Sequence, residues 1–178
     1  MVKFNKMLRD HVHFKTLDGL VFTTRGFYHP INKVRAVPLY RPFEKGKLEK
    51  KIDEFGDIWL DKMHPEYIQN SEFGQGIFVP FEDILEIYDP FNSEEIIKKL
   101  ENPVGKEIIN FLIHIGIKKE DIGFLGSYLV NTGNKPHDID FLIRGLRNLN
   151  RIKENFNDLL KEIKGKNYPS EGLSLIHI

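Results

Sequence analysis

The chain has 178 residues, 26 Lys or Arg balanced by 26 Asp or Glu, and no cysteine. That length holds one ordinary domain or two small ones. The lack of cysteine excludes disulfide scaffolds, zinc ribbons and thiol catalysis, so any metal would be held by oxygen or imidazole, which favours Mg²⁺ or Mn²⁺ over zinc.

Met1 to Phe14 carries scattered charges and no apolar stretch of signal-peptide length. No run in the sequence is long enough to cross a bilayer. The expectation is a cytoplasmic protein without a membrane partner. Charge is unevenly spread: residues 1–51 carry 12 Lys or Arg against 4 Asp or Glu, residues 52–101 carry 3 against 13, and the rest 11 against 9. A basic front segment could face a phosphate backbone, although such runs are more often solvated surface.

To about Pro90, short β-favouring runs alternate with turn signals: Val12-His13-Phe14, Leu20-Val21-Phe22-Thr23-Thr24, Lys33-Val34-Arg35-Ala36-Val37 and Gly76-Ile77-Phe78-Val79. Asp18-Gly19 is a two-residue hairpin signal of the type I′ kind, and His29-Pro30-Ile31-Asn32 reads as the next reversal. A small curled sheet or barrel follows. The acidic stretch after Lys51 reads as irregular, and the spacing of Phe81, Ile84, Leu85 and Tyr88 predicts a short helix. Phe27, Tyr28, Trp59, Tyr67 and Phe73 could stack on bases, but aromatics in a small barrel are expected in its core. His11 and His13 would share a strand face, yet no third metal ligand is evident, and surface or turn positions are expected for them.

From Ser93, a plausible N-cap, the pattern becomes helical, with Ile96, Ile97 and Leu100 on one face as far as about Asn102. Pro103 can open a second helix bearing Ile108, Ile109, Leu112 and Ile113, with His114 packed or at its rim and Gly116 ending it. There follow the apolar run Ile122-Gly123-Phe124-Leu125, then Gly126-Ser127, a polar loop through Pro136, a strand over 139–143 and an amphipathic helix over 146–163. The fold class expected is α+β.

The chemistry-bearing stretch is Leu125-Gly126-Ser127 followed, after ten intervening residues, by Asp138-Ile139-Asp140-Phe141. Alternate strand residues share a face, so Asp138 and Asp140 would project together while Ile139 packs the other way. Two neighbouring carboxylates repel, and a divalent cation between them removes that cost. Glycine admits a phosphate close to the backbone, and serine adds a hydroxyl donor beside free amides. Each half alone has an ordinary explanation, since Gly-Ser is a common turn dipeptide and Asp-x-Asp often marks a solvated edge strand. Acids entering an otherwise apolar strand are costly without a ligand, so the combination carries more weight than its parts.

These residues resemble the polymerase-β-like nucleotidyltransferase superfamily, whose pattern is an apolar residue, Gly, Gly or Ser, about ten residues, then acid-apolar-acid-apolar. The front part, through Asp18-Gly19-Leu20-Val21-Phe22, Gly26-Phe27-Tyr28-His29-Pro30 and Ile84-Leu85-Glu86-Ile87-Tyr88-Asp89-Pro90, is similar to the leader of a group of uncharacterised, mainly archaeal nucleotidyltransferases. The resemblance implies a β-rich leader module over 1–90, then a helical connector and the first, C-terminally truncated part of a nucleotidyltransferase α/β domain over 91–172. It implies Asp138 and Asp140 as catalytic carboxylates and ligands of Mg²⁺ or Mn²⁺, and Gly126 and Ser127 against the phosphates of a nucleoside triphosphate such as ATP. A nucleoside monophosphate would pass to an acceptor hydroxyl, with nucleic acid a possible acceptor. The rival expectation is a non-catalytic nucleotide- or nucleic-acid-binding regulatory protein with a degenerate fold of this kind.

Two departures stand out. Many small members have Arg-Gly shortly after Gly-Ser and Ser before the acid pair, where this chain has Val130-Asn131 and His137. The superfamily's third carboxylate lies on a later strand, whereas here the acids after Asp140 are Glu154, Asp158 and Glu162 on the expected helix, and Glu171. Residues 173–178, Leu-Ser-Leu-Ile-His-Ile, are the translation of the transposon-end adapter CTG TCT CTT ATA CAC ATC and read as an assembly scar; a terminal apolar strand is the other reading. The expectation on the first reading is a piece that binds metal-nucleotide weakly, does not turn over and tends to associate through an open sheet edge.

Overall fold

In the computed structural model, which describes residues 8–50, 58–72, 74–92, 94–133 and 138–164, the chain divides into two compact units between Asp89 and Pro90. The fold is mixed α+β: an antiparallel seven-stranded sheet in the first unit, then helices and a two-stranded sheet in the second.

In the first unit β1 (His13–Thr16) and β2 (Val21–Thr24) form a hairpin that stacks the Phe14 and Phe22 rings, centroids 5.5 Å apart. The two-residue type I′ turn expected at Asp18-Gly19 is not formed. Thr16 N–H donates to the Leu20 carbonyl and Gly19 N–H to that of Thr16, both at 2.9 Å, so the loop has three residues. Gly19 alone among them has positive φ, +90°, as the last position of a three-residue hairpin loop requires. The Asp18 carboxylate is used elsewhere: it accepts from Thr16 Oγ1 at 2.5 Å and meets His64 Nε2 at 2.7 Å.

β3 (Lys33–Pro42) is the spine of the sheet, longer than its apolar run suggested. β4 (Leu48–Lys50) pairs with its far end, and the stretch read as irregular contains helix α1 (Ile58–Met63) and β5 (Ile68–Ser71). With β6 (Gly74–Pro80) and β7 (Ile84–Tyr88) the order is β5-β6-β3-β2-β1-β7.

The helix expected over 81–88 is instead a 3-10 turn at Phe81–Asp83 followed by β7 on β1. The ladder matches Lys15 with Glu86 but Thr16 with Ile84, so Leu85 is the extra residue of a bulge. A bulge reverses side-chain parity, so Ile84 and Ile87, three apart, both reach the core. That spacing imitates a helical turn.

The core of this unit joins Phe14, Phe22, Val34, Ala36, Val79 and Ile84 to Leu60 of α1 and to Tyr67, each large apolar side chain contributing about 1.5–3 kcal/mol. Tyr67 is in the core as expected, but Phe27 and Tyr28 are 65% and 62% exposed. Phe73 and the side chain of Trp59 lie outside the described residues. His11 and His13 do not share a strand face: His11 lies in the turn before β1, with φ +61°, and His13, expected at the surface or in a turn, is buried within it.

In the second unit α2 (Glu94–Lys99) stops short of Asn102, and its expected cap, Ser93, lies outside the described residues. Asn102 instead caps α3 (Pro103–His114), its side chain accepting the Gly105 N–H at 3.0 Å. A residue before proline is pushed out of helical conformation, which separates the two helices. Gly116 and Ile117 end α3 by donating to the carbonyls of Ile113 and Leu112, a Schellman pair. β8 (Ile122–Phe124), α4 (Gly126–Val130), β9 (Phe141–Ile143) and the long helix α5 (Leu146–Lys164) complete the unit around Ile108, Leu112, Phe124, Phe141, Ile152 and Leu159. No described helix is long and apolar enough to cross a membrane.

Candidate functional site

β8 and β9 are antiparallel, with Phe124 opposite Phe141 and Ile122 opposite Ile143. Continued one step, the register sets Leu125 opposite Asp140, and Leu125 N–H donates to the Asp140 carbonyl at 3.0 Å. Asp140 therefore stands across from the residue that precedes Gly126-Ser127. The backbone pairing brings the second acid and the Gly-Ser turn to one end of the two-stranded sheet.

β9 begins at Phe141, so the acid pair leads into the strand instead of lying within it as expected. The alternation still holds through this lead-in. Ile139, Phe141 and Ile143 pack on the core, while Asp138 is exposed and Asp140 half-buried. Ile139 occupies the space left by Gly105 in α3: a Cβ there would collide with its Cδ1. Gly105 was not read from the sequence as supporting the acid pair. The available signal was a glycine in the third position of a helix, where most residues serve better.

On the other side of the turn, Leu125 is extended (φ −124°, ψ −177°) and Gly126 has φ +62°, a conformation L side chains seldom adopt. The chain thereby passes abruptly from strand to the short helix α4, with Gly126 and Ser127 both half-buried. Tyr128 and Phe124 hold α4 to the sheet, ring centroids 6.4 Å apart, and Phe124 in turn packs on Phe141 at 5.3 Å. Burial, and secondarily the Glu101 charge, raise the Tyr128 phenol above its usual range, so it stays protonated at neutral pH. The loop after α4 turns at Asn131, φ +50°; His137 and the neighbouring Pro136 lie outside the described residues.

Both acids offer the hard oxygen ligands that suit Mg²⁺ or Mn²⁺. Among the described residues no group of three or more His, Asp or Glu is placed to hold a metal ion. Mg²⁺ in triphosphate sites is commonly held by one or two carboxylates with the phosphates themselves completing the shell, so two acids on one face fit that role. Glu154 and Asp158 lie on α5, as the sequence suggested. Family models, curated proteins and solved structures yield no match to this chain.

Proposed function

We propose that the second unit carries the donor site of a nucleotidyltransferase domain that uses a nucleoside triphosphate as donor. The observation that carries the reading is the Leu125–Asp140 backbone hydrogen bond, which brings the acid pair and the Gly-Ser turn to the same end of the sheet. The order α3, β8, α4, β9, α5 also supports the α-β-α-β-α opening that the motif resemblance implies.

In this reading Gly126 lets the β and γ phosphates approach the backbone and Ser127 donates its hydroxyl to them. Asp138 and Asp140 hold Mg²⁺ or Mn²⁺, which supplies neutralisation of triphosphate charge when bound. An acceptor hydroxyl gives up its proton to solvent and attacks the α phosphorus, a new phosphate ester forms, the bond from that phosphorus to the α–β bridging oxygen breaks, and pyrophosphate leaves. The third carboxylate of the superfamily is assigned to no residue here.

The test is titration of the protein with ATP and GTP, with Mg²⁺ and without. Metal-dependent binding that Asp140→Asn weakens supports the reading. Binding that is absent, or indifferent to metal and to both Asp138→Asn and Asp140→Asn, leaves the non-catalytic alternative in its place.

A further inference from the structure

We infer that Gly105, in the first turn of α3, is a positioning residue for the candidate metal ligands: by leaving room for Ile139 it sets where Asp138 and Asp140 stand. Gly105 is buried, and its N–H donates to the Asn102 side chain at 3.0 Å. Its φ is not positive, so the backbone at this position does not require glycine. Glycine is also a poor helix former, because it gives up the most backbone freedom on folding. Space is what it supplies. A Cβ on Gly105 would collide with Ile139 Cδ1 and lie 3.1 Å from Leu100 Cδ2.

The effect on the acids depends on which partner yields. The first turn of α3 is pinned, since Lys106 N–H also donates to the Asn102 carbonyl, at 3.1 Å. Leu100 is 1% exposed and enclosed in the core of this unit. Ile139, by contrast, lies ahead of the β8–β9 ladder, whose β9 side starts at Phe141. Its Cβ branch leaves little freedom at χ1, so a push on its tip is passed to its backbone. Asp138 and Asp140 are its neighbours on either side, and both carboxylates move with it. Mg²⁺ tolerates such movement badly, because it demands near-octahedral oxygen ligands at about 2.0–2.1 Å. The role in metal binding deepens the nucleotidyl-transfer reading and rests on it; the seating of Ile139 does not.

The experiment compares the whole chain with Gly105→Ala and with the double variant Gly105→Ala, Ile139→Val. The second change removes the Cδ1 that the new methyl group strikes, so the volume at the contact is conserved. Displacement is read without metal or nucleotide, as hydrogen-exchange protection of the Leu125 amide, whose partner is the Asp140 carbonyl. Gly105→Ala should lower that protection about tenfold while the Leu112 amide stays within about twofold of the parent, and the double variant should restore it. Metal binding is read by isothermal titration with ATP and Mg²⁺. Affinity should fall about tenfold in Gly105→Ala and return to within about threefold of the parent in the double variant. A residue that only stabilised the fold would lower both amides together and gain no affinity from the second change.

Leu125 protection in Gly105→Ala within about twofold of the parent would show that Ile139 turns its tip aside without moving, and would overturn the inference. So would Leu125 and Leu112 falling alike, a double variant no better than the single one, or unchanged affinity in Gly105→Ala when the parent binds. A parent that binds ATP without regard to Mg²⁺ would instead remove the nucleotidyl-transfer reading, and the Leu125 amide would still decide whether Gly105 sets the place of the acids.

Discussion

Ile139 decides where the two candidate carboxylates stand. Its side chain packs into the space above Gly105, and the alternation of an extended chain turns Asp138 and Asp140 away from the core. This part of the site was legible in the sequence because period-two patterning needs only local residues. The backbone bond from Leu125 to Asp140 was not, since it depends on which end of β8 meets which end of β9. Asp140→Asn is expected to weaken Mg²⁺-dependent binding of ATP by about tenfold or more, equivalent to about 1.4 kcal/mol, in isothermal titration. Removing one of two repelling charges should leave the melting temperature of the metal-free protein unchanged or slightly raised. A large drop in melting temperature together with metal-independent binding would make Asp140 a structural residue. The misplacement of Phe27 and Tyr28 has the opposite origin: composition suggested a core, but Gly26 and Pro30 put both residues on a reversal, where side chains face water.

At the scale of elements, local chemistry announced the second unit better than the first. Pro103 and Gly116 open and end α3 as read, whereas Asn102, read only as the end of the preceding helix, caps α3. Asn102→Ala should therefore cost about 1 kcal/mol, read as a lower urea midpoint at unchanged slope. β4, β5 and β7 owe their form to partners distant in sequence, and β7 also hides its alternation behind the bulge at Leu85. Charge patterning misled in the same region. His64 meets both Asp18 and Glu66 and stacks on Tyr67, centroids 4.8 Å apart, while the Tyr67 hydroxyl donates to Asp83 at 2.9 Å. That fastening draws the β1–β2 loop to the segment before β5, so the stretch read as irregular, with Glu66 in it, is organised structure. In β8 the constraint is space: a Cβ on Gly123 would lie 2.9 Å from the Pro90 carbonyl oxygen and 3.1 Å from the Phe91 ring. Because a backbone atom cannot move aside cheaply, Gly123→Ala should destabilise the protein by about 1–3 kcal/mol, measured by urea denaturation. A midpoint equal to the parent's would show that the Pro90–Phe91 segment yields without cost.

For the whole molecule, the division between Asp89 and Pro90 gives two units with separate cores, and only one of them has a buried histidine among its described residues. His13, in β1, is pushed down from 6.5 to about 4, first by burial and then by the charge of His11. Its ladder partners are Thr23 and Tyr88, and the Tyr88 phenol, pushed up to about 12 chiefly by burial, stays protonated throughout the acid range. The folded state thus resists a proton that the unfolded chain accepts. Above about pH 6.5 neither state is protonated and His13 exerts no pH effect; stability falls as pH drops from about 6.5 to about 4, then levels off. The full loss is about 3 kcal/mol, large enough to matter against the marginal stability of a small domain. The second unit buries no histidine among its described residues and meets no such penalty. Hydrogen-exchange protection factors, corrected for the intrinsic pH dependence of exchange, should therefore fall between pH 6.5 and 4.5 at Phe22 and Val79 while holding at Leu112 and Phe124. His13→Leu should abolish the decline in the first unit. An equal decline in both units, or one that survives His13→Leu, would place the acid sensitivity somewhere other than β1.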